Sequence, residues 1–107
     1  MIVDVHAHFV PPSMLEGLED RGREFGVSLI EKEPGCPCCS FETGLTVRPF
    51  FETILDVDKR LAEMDRQQVD REILTLWADV FCYDLPADKG NAWHRHMNEH
   101  LAQLAEA

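Results

Sequence analysis

The residues best suited to chemistry are two histidines near the start of the chain, in the segment Ile-Val-Asp-Val-His-Ala-His. His6 and His8 alternate with apolar residues, and this period of two predicts a β-strand. Their imidazoles then emerge on one face, roughly 7 Å apart along the chain, and both can lean onto one metal ion at about 2.0 to 2.1 Å. Asp4 points the same way but deeper, where a carboxylate suits a structural or supporting role.

Cysteines are a second candidate for metal binding. Three of the four lie in one tetrapeptide, Cys36-Pro37-Cys38-Cys39, and the fourth is Cys82. Such close spacing argues against a regular disulfide framework and favours reduced thiols. A zinc knuckle made of the three neighbouring cysteines with Cys82 or a histidine would be nonstandard, because zinc needs four ligands at workable spacing. The simpler interpretation is a surface turn with free thiols.

Three further histidines fall close together near the end of the sequence. His94, His96 and His100 include a pair separated by four residues, and such a pair can bind a metal from one face of a helix. They lack the His-Glu-x-x-His arrangement of helical zinc sites. We therefore expect all three to be exposed helix residues.

The elements that must position His6 and His8 follow directly in the sequence. Pro11-Pro12 stops the first strand. Ser13 is a favourable N-cap, and Glu16 three residues later completes a predicted capping box. The sequence therefore predicts a short helix that starts at Ser13 and reaches about Arg21.

Residues 22–49 differ in composition from the segments around them, because glycines and prolines recur through them. Two short strands are predicted at 25–30 and 41–47, joined by the cysteine turn. Such a hairpin is too small to be an independent domain. We therefore expect 22–49 to be an inserted excursion within a single domain that spans 1–107.

Beyond this excursion the pattern alternates again. The sequence predicts a helix capped by Asp56 or Asp58, and an apolar run at 72–77 that fits a buried parallel strand. A final amphipathic helix runs to Ala107 without a capping glycine, as if cut or held by a partner. Strands that alternate with helices imply parallel βα units, so we expect an α/β fold.

Composition limits the class of protein. Ten Lys and Arg residues against twenty Asp and Glu residues give a formal net charge of -10, which argues against nucleic-acid and anionic-membrane partners. The absence of a basic, apolar leader and of a long apolar run leads us to expect a cytoplasmic protein. The 107 residues suffice for one domain. A complete (β/α)8 barrel, by contrast, needs roughly 250 residues.

Several segments together carry a family resemblance. Residues 2–11 look like the first strand of the amidohydrolase superfamily, and are most similar to the branch typified by 2-amino-3-carboxymuconate-6-semialdehyde decarboxylase. The other similar segments are Val47-Arg48-Pro49, Asp56-Val57-Asp58-Lys59-Arg60-Leu61-Ala62-Glu63-Met64-Asp65, Val69-Asp70, Phe81-Cys82-Tyr83 and Met97-Asn98-Glu99. The resemblance covers nearly the whole chain except the cysteine turn, and it matches the N-terminal third of such an enzyme.

This resemblance implies a fold and a set of site residues. The fold is the opening βα units of a TIM-like (β/α)8 barrel, incomplete here, with 22–49 as the inserted hairpin. His6 and His8 match the histidines that bind a catalytic divalent metal, usually zinc and sometimes manganese. Arg48 matches the arginine that binds a substrate carboxylate, and Phe81 a residue at the pocket rim. The alternatives are a surface salt bridge for Arg48 and a core or loop-packing role for Phe81.

The same resemblance implies an activity and partners. The expected function is metal-dependent decarboxylation of an aromatic or muconate-type carboxylic acid, in which CO2 leaves as a proton reaches the carbon. Hydrolysis at the same metal site is the alternative reaction. Members of this branch often dimerise, and a second arginine from the neighbouring subunit then reaches the substrate.

The sequence also departs from the family pattern. A further metal-binding histidine, a histidine base and a late aspartate belong to strands that these 107 residues do not include. Two histidines alone would hold a metal loosely, because catalytic zinc normally has three protein ligands. The remaining alternatives are therefore a non-catalytic fragment, a small metal-binding module built on the cysteines, or half of a split enzyme whose partner chain completes the barrel.

Overall fold

A computed structural model describes residues 1–33 and 36–106, with the backbone alone for residues 32, 33, 36 and 52. The strands are β1 (Val3–Phe9), β2 (Val27–Glu33), β3 (Cys36–Phe41) and β4 (Arg71–Leu76). The helices are α1 (Pro12–Glu16), α2 (Leu18–Phe25), α3 (Glu52–Leu55), α4 (Val57–Gln67) and α5 (Ala87–Glu106), with a 3-10 turn at Ala78–Val80. The fold is therefore mixed α/β, as expected, and these elements do not close a barrel.

The two strands that carry the predicted chemistry lie side by side and parallel. His8 is opposite Thr75 in this pair, one residue before both strands end. The register shifts between Asp4 and Ala7, because β1 has one residue more than β4 in this stretch. Such a bulge bends a strand and breaks the simple alternation of its side chains. The expected parallel strand at 72–77 is confirmed, although Ile73 is exposed rather than buried.

The inserted hairpin is present, but its strands differ from the prediction. β2 and β3 pair antiparallel, with Leu29 opposite Cys39 and Ile30 opposite Cys38. Cys38 and Cys39 therefore belong to a strand and are fully buried, so the interpretation of these cysteines as a surface turn is wrong. The predicted strand at 41–47 is also wrong, because β3 ends at Phe41. The connection at Pro34-Gly35 lies outside the described residues.

Helix starts show where local sequence signals held and where they failed. α4 begins after Asp56, whose carboxylate accepts a hydrogen bond from the backbone N–H of Lys59 at 3.1 Å, as predicted. α1 begins one residue before Ser13, with a proline at the start of the helix and no side-chain cap. The predicted capping box is therefore wrong, and the Ser13 hydroxyl lies instead 2.7 Å from Nδ1 of His100.

The apolar core lies between α1, α2, the hairpin and α5. Trp93 of α5 is fully buried and donates its indole N–H to the carbonyl of Val80 at 2.8 Å, which fixes the segment after β4. The amphipathic final helix is thus confirmed through Glu106, while Ala107 lies outside the described residues. The expectation of three exposed histidines is wrong, because His96 is 5% exposed and His94 and His100 are half-buried. Among the described residues, no helix is long and apolar enough to cross a membrane.

One arginine joins α4 to both strands of the parallel pair. Arg60 donates to a carboxylate oxygen of Glu72 at 2.9 Å and to the backbone carbonyl of His8. It also donates to the carbonyl of Thr53 at 3.0 Å, and its guanidinium lies 5.4 Å from the ring centre of Phe9. The side chains of Arg60 and Glu72 are only 16% and 12% exposed, so this ion pair is largely shielded from water.

Replacement of Arg60 by methionine tests this junction. The change keeps the apolar contact with Phe9 but leaves the carboxylate of Glu72 largely buried and unpaired. Loss of one partner of a buried pair is strongly destabilising, and we expect the free energy of unfolding to fall by about 3 kcal/mol. Urea denaturation followed by circular dichroism measures the change.

The matched control is Arg66→Met in the same helix. Arg66 pairs with Glu63 at a much more exposed position. Exposed pairs of this kind contribute little, so the urea midpoint of this variant should equal that of the wild type. Equal midpoints for Arg60→Met and Arg66→Met would contradict the role assigned to Arg60.

Candidate functional site

His6 and His8 converge as their spacing predicts. Their Nε2 atoms are 3.1 Å apart, and the rings meet edge to face with their centres 4.8 Å apart. Two nitrogens bound at about 2.05 Å to one tetrahedral metal ion lie about 3.3 Å apart. The observed separation therefore fits two ligands of a single ion. His6 is exposed and His8 is half-buried, so an ion can reach both rings from solvent.

Thr75 orients His8, and it is a residue that sequence analysis missed. Its Oγ1 lies 3.0 Å from Nδ1 of His8 and 3.3 Å from the carbonyl oxygen of Ala7. The carbonyl can only accept, so a hydroxyl that donates to Ala7 accepts in turn from Nδ1–H of His8. This tautomer leaves the Nε2 lone pair of His8 directed toward His6. Such a bond through the other ring nitrogen is typical of metal-binding histidines.

Asp4 supports the strand rather than the imidazoles. Its carboxylate accepts a hydrogen bond from the backbone N–H of His6 at 3.0 Å. This bond spans the irregular part of β1, where the register shifts between Asp4 and Ala7. The expectation that Asp4 continues the same face at a deeper position does not allow for this bulge. The structural role that was expected for Asp4 fits the observed bond.

Arg48 lies at the same edge of the sheet as His8. Its Nε donates to a carboxylate oxygen of Asp79 at 2.9 Å, and its guanidinium lies 4.9 Å from the ring centre of Trp77. Trp77 directly follows β4, whose last residues pair with the end of β1. The Arg48 side chain is 68% exposed, and its two Nη nitrogens have no hydrogen-bond partner within the described ranges. Arg48 therefore forms the surface salt bridge through Nε, while its two Nη nitrogens can still donate hydrogen bonds.

Phe81 lies beside a cleft between the free edge of β4 and α5. The cleft has a volume of about 390 Å³, and Phe81, Thr75 and His94 all line it. The ring of Phe81 is half-buried, 5.8 Å from Tyr83 and 6.3 Å from His94 between ring centres. His94 is held by a 2.7 Å hydrogen bond from Nε2 to the carbonyl of Phe81. Phe81 thus lines the same cleft as Thr75, the partner of His8.

The cysteines are poorly suited to bind a metal in this fold. Cys38 and Cys39 are consecutive residues of β3, and consecutive side chains of a strand point to opposite faces. Burial, reinforced by the neighbouring Cys38, raises the pKa of the Cys39 thiol to about 12. Metal ions bind the thiolate, so a protonated Cys39 is a weak ligand. The side chain of Cys36 lies outside the described residues.

Within the part of the chain that the structure describes, no cluster of three or more His, Cys, Asp or Glu side chains is arranged to hold a metal. Catalytic zinc normally has three protein ligands, of which His6 and His8 are two candidates. The pair lies toward the carboxyl end of two parallel strands. Active sites of parallel α/β folds lie at this end.

The raised pKa of Cys39 predicts that its thiol is inert in the folded chain. At pH 8 the thiolate fraction is about one in ten thousand, so iodoacetamide should leave Cys39 unmodified over minutes and modify it fully in urea. Peptide mapping by mass spectrometry measures both states. Modification of Cys39 in the native chain at the rate of an ordinary free thiol would contradict its burial.

No protein-family model matches the sequence. A search of curated proteins likewise finds no significant match.

Proposed function

We propose that this chain carries the first metal-binding segment of a metal-dependent enzyme of the amidohydrolase type, acting as a decarboxylase of an aromatic or muconate-type carboxylic acid. The observation that supports it most strongly is the 3.1 Å approach of the Nε2 atoms of His6 and His8 at the carboxyl end of β1. The resemblance of residues 2–11 to the first strand of that superfamily supports the same assignment.

The donor set suits zinc or manganese. Two imidazoles, one of them oriented by Thr75, are ligands that both ions accept. A divalent ion bound there supplies a Lewis acid that polarises a substrate oxygen. The proposal assigns the remaining ligands, and the group that handles the proton, to strands that the 107 residues do not include.

Arg48 is the proposed carboxylate-binding residue of this chain. Its guanidinium is held at Nε by Asp79 and rests on Trp77, and both contacts fix its position. The two Nη nitrogens remain to donate to a carboxylate, and the planar fork of arginine suits such a group. The net charge of -10 does not attract an acidic substrate, so the attraction must be local to Arg48.

Exposed apolar residues on the parallel strands support the proposal that further strands complete this sheet. Val5 is 70% exposed and Ile73 is 55% exposed. Within the described part of the chain, β1 and β4 pair only with each other, so each has one free edge. Free edges and exposed apolar side chains are features that proteins usually cover. A second copy in a homodimer, or a partner chain that completes the barrel, would cover them.

Zinc titration of the 107-residue chain tests the site. We expect one zinc ion per chain at pH 7.5, with affinity at least tenfold weaker in His6→Asn and in His8→Asn. Thr75→Val should weaken binding by about tenfold, because it removes the bond that orients His8. Isothermal titration calorimetry measures the affinities. His94→Asn is the matched control and should bind like the wild type; unchanged binding by His6→Asn would exclude this site.

Carboxylate binding tests the proposed substrate class. With zinc present, ¹³C NMR of carboxyl-labelled 2-hydroxybenzoate should show binding that is about tenfold weaker in Arg48→Met, because two charge-assisted hydrogen bonds are lost. Arg23→Met, at an exposed position of α2, is the control. The label should stay on the bound carboxylate, because the group that handles the proton is assigned to strands outside the 107 residues. Binding that depends on neither zinc nor Arg48 would contradict the proposal.

A further inference from the structure

A cluster of polar side chains joins α1 to α5. Nε2 of His96 lies 2.8 Å from the carbonyl oxygen of Met14, and Nδ1 of His100 lies 2.7 Å from Oγ of Ser13. The two imidazoles meet edge to face, with their centres 4.4 Å apart. These residues are 82 and 87 positions apart in sequence, so the cluster is a tertiary contact rather than a helix cap.

The tautomer of His96 is fixed by its partner. A carbonyl oxygen only accepts, so Nε2 carries the hydrogen and Nδ1 of the neutral ring is an unprotonated acceptor. This Nδ1 is buried and has no hydrogen-bond partner among the described residues. Its ring lies 4.7 Å from Phe25 and is stacked 5.8 Å from Trp93, between ring centres. Protonation would therefore create a buried N–H donor without an acceptor, which is costly.

His100 adds a second constraint on protonation. Burial, and then the neighbouring His96, lower the pKa of His100 below its ordinary value. Arg21 of α2 acts in the same direction, whereas Glu99 of α5 and Glu16 of α1 favour the charged form. The charged groups around His100 thus act on its pKa in both directions. The decisive feature is the 4.4 Å separation of two rings that cannot both be charged without strong repulsion.

We propose that Ser13, His96 and His100 form a proton-sensitive latch, which holds α5 against α1 while both imidazoles are neutral and loosens at acidic pH. The first proton is taken up by His100, which keeps its contact with Ser13. The second proton meets the orphaned Nδ1 of His96 and opens the contact. The latch is connected to the segment that carries His6 and His8, because only Val10 and Pro11 separate β1 from α1.

The direction of the pH effect follows from the neutral folded form. The unfolded chain takes up protons near pH 6.5, the ordinary histidine value, whereas the folded chain resists them. The stabilisation is therefore fully present above about pH 6.5 and is lost as pH falls through the lower pKa of the folded state. Each excess proton bound by the unfolded chain changes the unfolding equilibrium by up to tenfold per pH unit.

Hydrogen exchange of the 107-residue chain between pH 7.5 and 5.0 tests the latch. After correction for the intrinsic pH dependence of exchange, the amides of α1 should exchange at least tenfold faster at pH 5.0, while those of α4 change little. In the double variant His96→Gln/His100→Gln this acceleration should disappear, because both titrating imidazoles are gone while the change His96→Gln keeps an N–H donor for Met14. Each single variant should retain only part of the acceleration, because one imidazole of the pair remains. His94→Gln, on the same helix outside the cluster, should behave like the wild type.

Imidazole ¹⁵N shifts provide the second measurement, which does not depend on how stable a variant is. In the wild type, the pKa of His100 should lie below the ordinary histidine value, and loss of the α1 contacts should accompany titration of the imidazole pair. Acceleration of α1 exchange that persists undiminished in the double variant His96→Gln/His100→Gln would overturn the latch. So would full protonation of both His96 and His100 with the contacts to Ser13 and Met14 intact.

Discussion

The hydrogen bonds of the Arg60 guanidinium are the interactions on which the candidate site depends. They join α4 to Glu72 on β4 and to the carbonyl of His8 on β1, at the residue where the imidazole must be held. In a chain with a net charge of -10, the Arg60 guanidinium thus lies where the two parallel strands contact α4. Because the bonds go to backbone and to a shielded carboxylate, they fix the strand ends more firmly than exposed pairs can.

With the strands held in this way, the chemistry of the site follows from local geometry. His6 lies within the bulged stretch of β1 and His8 just beyond it. Thr75 orients the ring of His8, and Arg48 lies against Trp77 just after β4. His6, His8 and Arg48 therefore all lie toward the carboxyl ends of the two strands, where they are the candidates for metal and carboxylate binding. The exposed apolar residues of these strands fit a sheet that continues through further strands.

Local patterns in the sequence were enough to predict β1, the convergence of His6 and His8, the cap at Asp56 and the parallel strand after α4. Patterns that depend on distant partners could not be anticipated. Ser13 has the signature of a cap, but its hydroxyl contacts His100, 87 residues away. The bulge depends on pairing with β4, and burial of Cys38 and Cys39 depends on packing beneath the helices. Thr75 left one usable signal, a polar residue inside an apolar strand.

X-ray absorption at the zinc edge of the metal-loaded chain shows whether His6 and His8 hold the ion, because it identifies the atoms bound to zinc. We expect a shell of light atoms at about 2.0 to 2.1 Å with the multiple scattering of two imidazole rings, and its loss in the variant that lacks His6 and His8. A sulfur shell at about 2.3 Å would instead place the metal on the cysteines and rule out the histidine site.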